Sequence, residues 1–510
     1  MAVGNLIVHG RRIPADQLTP VLAYRRLVAP DERHAPSFLL ESVEQGGAVG
    51  RHSMLGARPA MEVVAHAHMV EIHREGTVER IELADPLEVP RRLTGAWVPI
   101  KSGNVPDAFH GGWVGFVGFD AIRWLEPGAL PFARAPRDDR GLPDMHLGLY
   151  RNAVVFDHAS RVVDCVASEP LELHASEAAA RSAANLSIDR AIASMLHERP
   201  ALPTGEISLD PAAAPRPPMA GSMSQVEFEA AVRKAKAAIA AGDAFQIVLS
   251  QRFERTTRVD PFEIYRALRI VNPSPYQVYL QARDCILVAS SPEIACRVRG
   301  RTVTNRPLAG TRPRGTSTER DGALERELLA DPKERAEHAM LVDLGRNDLG
   351  RVCDPGSVRV ERCMEVERYS HVMHLSSTVT GSLRPGLDAW DALRATLPVG
   401  TVSGAPKIRA IQIIDELEPV RRGPYAGAIG VAGFDGDMDM AIALRTMVIP
   451  TRHAGQAPWT VHLQAGAGVV LDSDPVAEHQ ETLHKSAALG RAIDLAEQAF
   501  GDSAARKASA

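Results

Sequence analysis

The stretch KERAEHAMLVDLGRNDLGRV (333–352) is the part of the chain from which the rest can be read. It lies in a helical pattern over 325–344, with acidic residues early and an apolar stripe through Leu328, Leu329, Ala336 and Met340. Glu334 and Glu337 are three apart, and His338 follows the first by four, a spacing that predicts one shared helix face. Nearer the C-terminus, DPVAEHQETLHK (474–485) repeats the pattern in Glu478 and Glu481, and Lys485 adds one turn on the same face. Two helices presenting paired carboxylates suit Mg²⁺, a hard ion that takes oxygen ligands and keeps several waters. Glu-x-x-Glu is also an ordinary solvated-face pattern, so spacing alone does not decide between a metal site and a surface.

Outward from these helices, 510 residues predict two domains, or one large domain with another appended. Hydrophobic content of 45% and charged content of 24% describe a soluble globular protein. A formal charge of -5 leaves no basic footprint, so nucleic acid is excluded as a partner class. MAVGNLIVHGRRIPADQ (1–17) has no apolar core of a signal peptide, and no run approaches the roughly 20 apolar residues that cross a membrane. Five scattered cysteines without Cys-x-x-Cys predict a reducing cytoplasm, with neither a disulfide framework nor zinc. The clearest boundary is 200–224, PALPTGEISLDPAAAPRPPMAGSMS, too rich in Pro and Ala to order itself. It divides an N-terminal region (1–199), with strand-like runs such as FLLESV and NAVVFDH, from a domain at 225–500 that opens with a helix over 225–241 and a strand over 245–249. The alanine-rich 501–510 is expected to be a frayed tail.

Glycine clusters carry a second signal: Gly310, Gly400 and Gly404, Gly427 and Gly430, Gly466 and Gly468. Glycine lets backbone N–H groups approach an anion, although tight turns and close strand packing explain such residues as well. None forms a dinucleotide fingerprint or a P-loop. Arg445 sits in the apolar run MAIALRTMVI, where a charge needs a carboxylate from the protein or a ligand. Tyr425, His374 and Glu293 lie near strand ends or glycine turns and are candidates for hydrogen bonding or proton transfer. Unaided, these residues reach a mixed α/β enzyme with a Mg²⁺–carboxylate site; a small-molecule sensor and an assembly scaffold also survive.

The blocks SSPE (290–293), PLAGTRPRG (307–315), KERAEHAMLVDLGRNDLGRV (333–352), YSHVMHLSSTVTG (369–381), GTVSGAPKIRA (400–410), RRGPYAGAIG (421–430) and LQAGAGVV (463–470) resemble the chorismate-utilising enzymes. Within them the chain is most similar to the large subunits of anthranilate synthase. The resemblance implies an α+β fold of two large antiparallel sheets packed as a sandwich and wrapped by helices, with 1–199 a regulatory region and 225–500 the catalytic domain. It implies Mg²⁺ as cofactor, with Glu337 and Glu481 as direct ligands and Glu334 and Glu478 holding metal-bound waters. Glu293 matches the general acid that protonates the departing ring hydroxyl, and His374 the histidine that assists proton handling and pyruvate elimination. Tyr425 and Arg445 match the holders of the pyruvyl carboxylate, and Gly310, Thr311, Gly466, Gly468 and Lys485 match further substrate contacts.

Two positions distinguish members of this family. Water-adding relatives carry a lysine base where this chain has Gln246, and glutamine cannot deprotonate water. Aminodeoxychorismate synthases, the alternative assignment, often carry a lysine where this chain has Ala309. Gln246 with Ala309 implies ammonia added directly to the ring, giving anthranilate. Leu39 to Ser42, and Asn272, Pro273, Ser274, Pro275 and Tyr276, resemble the family's tryptophan feedback site. Gln277 there replaces a usual methionine, and Val278 and Tyr279 stand where aromatic residues are common, which implies weaker inhibition. No cysteine lies in a Gly-x-Cys-x-Gly turn, so a separate glutamine amidotransferase subunit is expected to supply ammonia in a hetero-oligomer.

Overall fold

The computed structural model describes residues 5–29, 32, 34–42, 50–197, 201–207, 210, 215–216, 220–369, 372–452 and 457–501. Among these, two sheets of 13 and 12 strands carry the architecture. Side chains alternate across each strand, and both sheets use the alternation to bury two faces. Phe38, Leu40, Val278 and Leu280 of the larger sheet point inward to meet Val114, Phe116, Ile429 and Val431 of the smaller. Leu39 and Tyr279, one residue out of step, point the other way and pack under the helices Pro20–Leu27, Glu177–Leu196, Pro261–Val271 and Pro475–Phe500. On the outer face of the smaller sheet, Val298, Val303 and Val379 join Trp390 and Leu393 of helix Ala389–Thr396 and Val342 and Leu349 of helix Pro332–Gly350. The result is the α+β sandwich wrapped by helices that the resemblance implied. Its strand pairs are antiparallel apart from Leu6–Pro14 beside Pro99–Gly103.

Strand order shows how the N-terminal region enters this core. In the larger sheet Ser37–Glu41, His52–Ala57, Asn152–Asp157, Val162–Pro170, Leu6–Pro14 and Pro99–Gly103 are consecutive neighbours. In the smaller, Gly112–Val117, Met145–Tyr150, Met61–His66, Met69–Arg74 and Thr77–Glu82 are likewise contiguous. Each block joins the C-terminal strands through one pair: Ser37–Glu41 against Tyr276–Ala282, and Gly112–Val117 against Ala428–Gly433. The boundary at 200–224 therefore separates stretches of chain that share both sheets. Within it the described residues form regular structure only at Ala220–Gly221, which pairs with Glu254 and Phe253. Of the expected frayed tail, 502–510 lie outside the described residues.

Three sequence expectations shift in detail. The single helix over 325–344 is two, Thr318–Ala330 and Pro332–Gly350, because Pro332 cannot donate to the preceding turn and forces Asp331 out of helical geometry. Asp331 then caps the second helix, accepting from the Lys333 and Glu334 N–H groups at 3.0 and 3.2 Å. The expected stripe does not run through both: Ala336 is exposed, and the second helix buries His338, Leu341, Val342, Gly345 and Leu349 instead. The strand expected from Phe245 begins at Gln246, and Phe245 itself is 74% exposed. The helix before it, Gln225–Ala240, starts at a capping box between Ser224 and Glu227. All five cysteines are free. Among the described residues no helix is long and apolar enough to cross a membrane.

Candidate active site

The site gathers where the ends of both sheets meet the two glutamate-bearing helices. Strand Gln246–Thr257 pairs with Trp459–Val469 over eleven residues, placing Ser250 opposite Gly466 and Val248 opposite Gly468. From the start of the first strand, the Gln246 amide donates to Glu337 Oε1 at 3.0 Å. Gly468 leaves room for this contact, since a Cβ there would stand 2.9 Å from the Gln246 amide nitrogen and 3.7 Å from Glu337 Oε1 and push on the glutamine side chain. On the other helix, Lys485 pairs with Glu481 at 2.6 Å and donates to the Gly466 carbonyl at 3.0 Å. The space in front of Gly466 is bounded by the Tyr425 hydroxyl, 3.3 Å from where a Cβ would be.

A second group forms on strand Val372–Ser382 and its neighbour Leu308–Pro313. His374 Nδ1 lies 3.0 Å from the Gly310 carbonyl and 3.0 Å from Thr311 Oγ1. A carbonyl only accepts, so Nδ1 is assigned the proton, which leaves Nε2 as the basic nitrogen. Burial, reinforced by Arg445, pulls the His374 pKa down to about 4, keeping the ring neutral. Gly310 takes a left-handed φ of 66°, and a Cβ there would meet Glu334 Oε2 at 3.1 Å. Arg445 holds a φ of 46°, a conformation that costs a non-glycine residue energy. Its guanidinium is half-buried and, among the described residues, faces no carboxylate. A half-buried cation without a protein carboxylate is suited to an anionic ligand.

Glu293 is only 2% exposed, at the end of strand Cys285–Ser291. Burial pushes its carboxyl up to about 8, against the pull of a 2.7 Å hydrogen bond from Thr401 and of the Leu308 backbone. It is thus a protonated acid at neutral pH. No charged group contributes to that shift. Thr401 lies in the quoted GTVSGAPK block, but only its glycines drew attention in the sequence. A helix-following turn with a hydroxyl one residue past a glycine is the signal that was present.

The four glutamates approach one another without closing on a metal geometry. Burial raises Glu337, and Glu334 and Glu481 push it the same way; burial also raises Glu478, with Glu481 adding to it. Glu478 Oε2 is buried with no hydrogen-bond partner, and the Lys485 ammonium rests on Glu481. Mutually repelling carboxylates, an orphaned oxygen and one neutralising ammonium are a donor set that fits a hard cation. Among the described residues no three groups converge tightly enough to hold one by themselves. Glu334 is drawn aside by Arg312, which donates to it at 3.2 Å and to Asp331 at 2.8 Å. His338, expected on the glutamate face, turns inward and bonds Ser377 at 2.7 Å, with its pKa lowered to about 4 by burial. Glu334 lies beside Gly310 and Arg312 of strand Leu308–Pro313, whereas His338 reaches the neighbouring strand Val372–Ser382.

The two expected tryptophan-site segments are neighbours in one sheet. Glu41 pairs with Gln277 and Leu40 with Val278, so Ser42 lies beside Tyr276. The Asn272 carbonyl accepts from Gln277 Nε2 at 2.9 Å and from Ser290 Oγ. Ser274 donates to the Tyr276 carbonyl at 3.2 Å, and Tyr276 donates to Asp439 at 2.9 Å while accepting from Arg297 at 2.7 Å. Pro273 and Pro275 stiffen the turn between.

This arrangement has known counterparts. A family model described as chorismate binding enzyme matches residues 35–491. The anthranilate synthase alpha subunit 1, chloroplastic, of Oryza sativa subsp. indica is 54% identical, over 98% of this chain and 89% of its own length. Anthranilate synthase component 1 of Streptomyces coelicolor is 48% identical, over 95% of this chain and 88% of its own. The crystal structure of anthranilate synthase component I from Streptococcus pneumoniae TIGR4 superposes with a TM-score of 0.73 at 37% identity, covering 94% of this chain and 99% of that one. Fold and sequence agree: the chain belongs to the chorismate binding enzymes and, among them, to the anthranilate synthase component I family.

Proposed function

We propose that this enzyme converts chorismate and ammonia into anthranilate, pyruvate and water, the committed step toward tryptophan, with Mg²⁺ as cofactor. The observation that carries the reading is the Gln246–Glu337 hydrogen bond. It puts a neutral amide where a water-activating lysine would be needed, so ammonia, which needs no activation by a base, is the nucleophile. Glu293 holds a proton for the departing ring hydroxyl, and the neutral His374 presents a free nitrogen for proton transfer during loss of pyruvate. Arg445 and Tyr425 bind the pyruvyl carboxylate, with the backbone around Gly310, Thr311, Gly466 and Gly468 lining the substrate. Glu337 and Glu481, backed by Glu334 and Glu478, would hold Mg²⁺, which supplies positive charge for the ring carboxylate.

Two assembly features belong to the same reading. A glutamine amidotransferase subunit delivers the ammonia, and L-tryptophan binds between Ser42 and the 272–276 turn to inhibit. Cysteine usage supports a reducing cytoplasm, whereas the rice relative's name puts that protein in the chloroplast. The test is purified protein with chorismate, Mg²⁺ and ammonium. Fluorescent anthranilate is expected, and glutamine as sole nitrogen source should give none. Accumulation of aminodeoxychorismate, or of isochorismate without nitrogen, overturns the assignment.

A further inference from the structure

Behind the site lies an ion pair with no exposure to substrate. Arg422 and Glu418 are 2% and 5% exposed. Arg422 Nε donates to Glu418 Oε2 at 2.9 Å and Nη2 to Oε1 at 2.5 Å. The same guanidinium donates to the Val402 carbonyl at 2.6 Å and the Val248 carbonyl at 2.7 Å. Glu418 Oε1 also accepts from the Ser250 N–H at 2.8 Å and the Ser250 hydroxyl at 3.0 Å, and Gln464 donates to that hydroxyl at 2.9 Å. The guanidinium stacks 4.5 Å from the Phe119 ring centre and 6.0 Å from that of Tyr425.

Each tethered atom lies next to a working residue. Val402 follows Thr401, the hydrogen-bond donor to Glu293. Val248 is two residues beyond Gln246, and Ser250 faces Gly466 across the strand pair. We propose that the Arg422–Glu418 pair is a positioning device that fixes the Thr401 turn and the Gln246 strand relative to each other, and so aims the acid at the ring hydroxyl. A pair whose task was stability alone gains little from burial, because desolvation offsets most of its attraction. Five donors in a rigid plane, by contrast, can hold two carbonyls and a carboxylate in one geometry, which an ammonium cannot.

The inference rests on the anthranilate-forming reading, and wild-type turnover tests that reading separately from any variant. Two variants test the pair: Arg422→Lys, which keeps the charge but cannot reach both carbonyls, and the double change Arg422→Met with Glu418→Leu, which leaves no buried charge behind. In folded protein, judged by circular dichroism and a cooperative melt, kcat should fall about 100-fold, the cost of a displacement of roughly an ångström, with chorismate KM little changed. Because Thr401 pulls the Glu293 carboxyl down, loosening its turn should also move the alkaline limb of the pH profile upward. The charged environment of Glu293 adds nothing to this readout, since only burial, Thr401 and the Leu308 backbone set its pKa. A folded variant with kcat within about twofold of wild type overturns the proposal, as does a kcat loss with an unmoved alkaline limb.

Discussion

The chemistry turns on proton inventory at single residues. Glu293 keeps its proton because burial disfavours the anion, and its pKa near 8 sets a sign for pH dependence. A folded-state pKa above the unfolded one means native protein binds the proton more tightly, so stability from this group is full in acid and lost as pH rises through about 8. In the proposed role activity follows the same direction, because the protonated form would be the acid. We expect kcat to decline tenfold per pH unit above about 8, and a stopped-assay profile from pH 6 to 10 checks it. Glu293→Gln should lower kcat by about 100- to 10,000-fold with little change in KM. The residue was legible in SSPE, but its environment was not: a buried carboxyl with no charge beside it depends on segments far away in sequence, among them the Thr401 turn. Gln246 was the reverse case. Its chemistry was plain from its amide, and the structure added only the partner, Glu337.

Between elements, the glutamate helix is held at both ends. Asp331 caps its start, and Asp348 near its end accepts from Lys407 through both carboxylate oxygens at 2.9 Å. That pair is buried and joins helix Pro332–Gly350 to helix Lys407–Leu417, which follows the Thr401 turn. Lys407→Met should leave Asp348 charged and unpaired and cost about 3–5 kcal/mol, measured by urea denaturation. A loss under about 1 kcal/mol would show that Asp348 finds another partner or takes up a proton. The helix break was readable in Asp331–Pro332, since proline cannot continue a preceding helix, yet the 3.6-residue periodicity of the flanks ran through it and concealed it. Sharing a helix face was likewise too coarse a rule for His338, which is held by Ser377 on strand Val372–Ser382 and does not join the glutamates.

At the scale of the molecule, the FLLES strand is hydrogen-bonded to the strand that follows the NPSPY turn, although a linker separates the two in sequence. Tryptophan seated beside Ser42 would therefore act across a continuous sheet. Ser42→Arg should abolish inhibition by millimolar tryptophan while leaving saturated activity intact. Inhibition of this variant equal to wild type would move the effector elsewhere. Gln277, which stands where a methionine is usual, is 1% exposed, and its amide is turned inward to Asn272 and Ser290, so it ties the turn to the sheet. Composition suggested a boundary at 200–224, but strand order is set by pairings far apart in sequence, and no local pattern encodes those.

The two seams, one per sheet, also impose a timetable on synthesis. When residues 1–197 have left the ribosome, eleven strands can already pair among themselves, yet Ser37–Glu41 and Gly112–Val117 each present an unsatisfied row of N–H and C=O groups. The first gains its neighbour once Tyr276–Ala282 is made, and the second waits until Ala428–Gly433. At about 5–20 residues per second, that second edge stays open for roughly ten seconds to nearly a minute. Nascent chains truncated near residue 400 should consequently bind holdase chaperones and precipitate on release, whereas chains that include the strands through Trp459–Val469 should not. Gly112–Val117, buried along its whole length in the finished protein, is the segment that a growing chain has most need to keep covered.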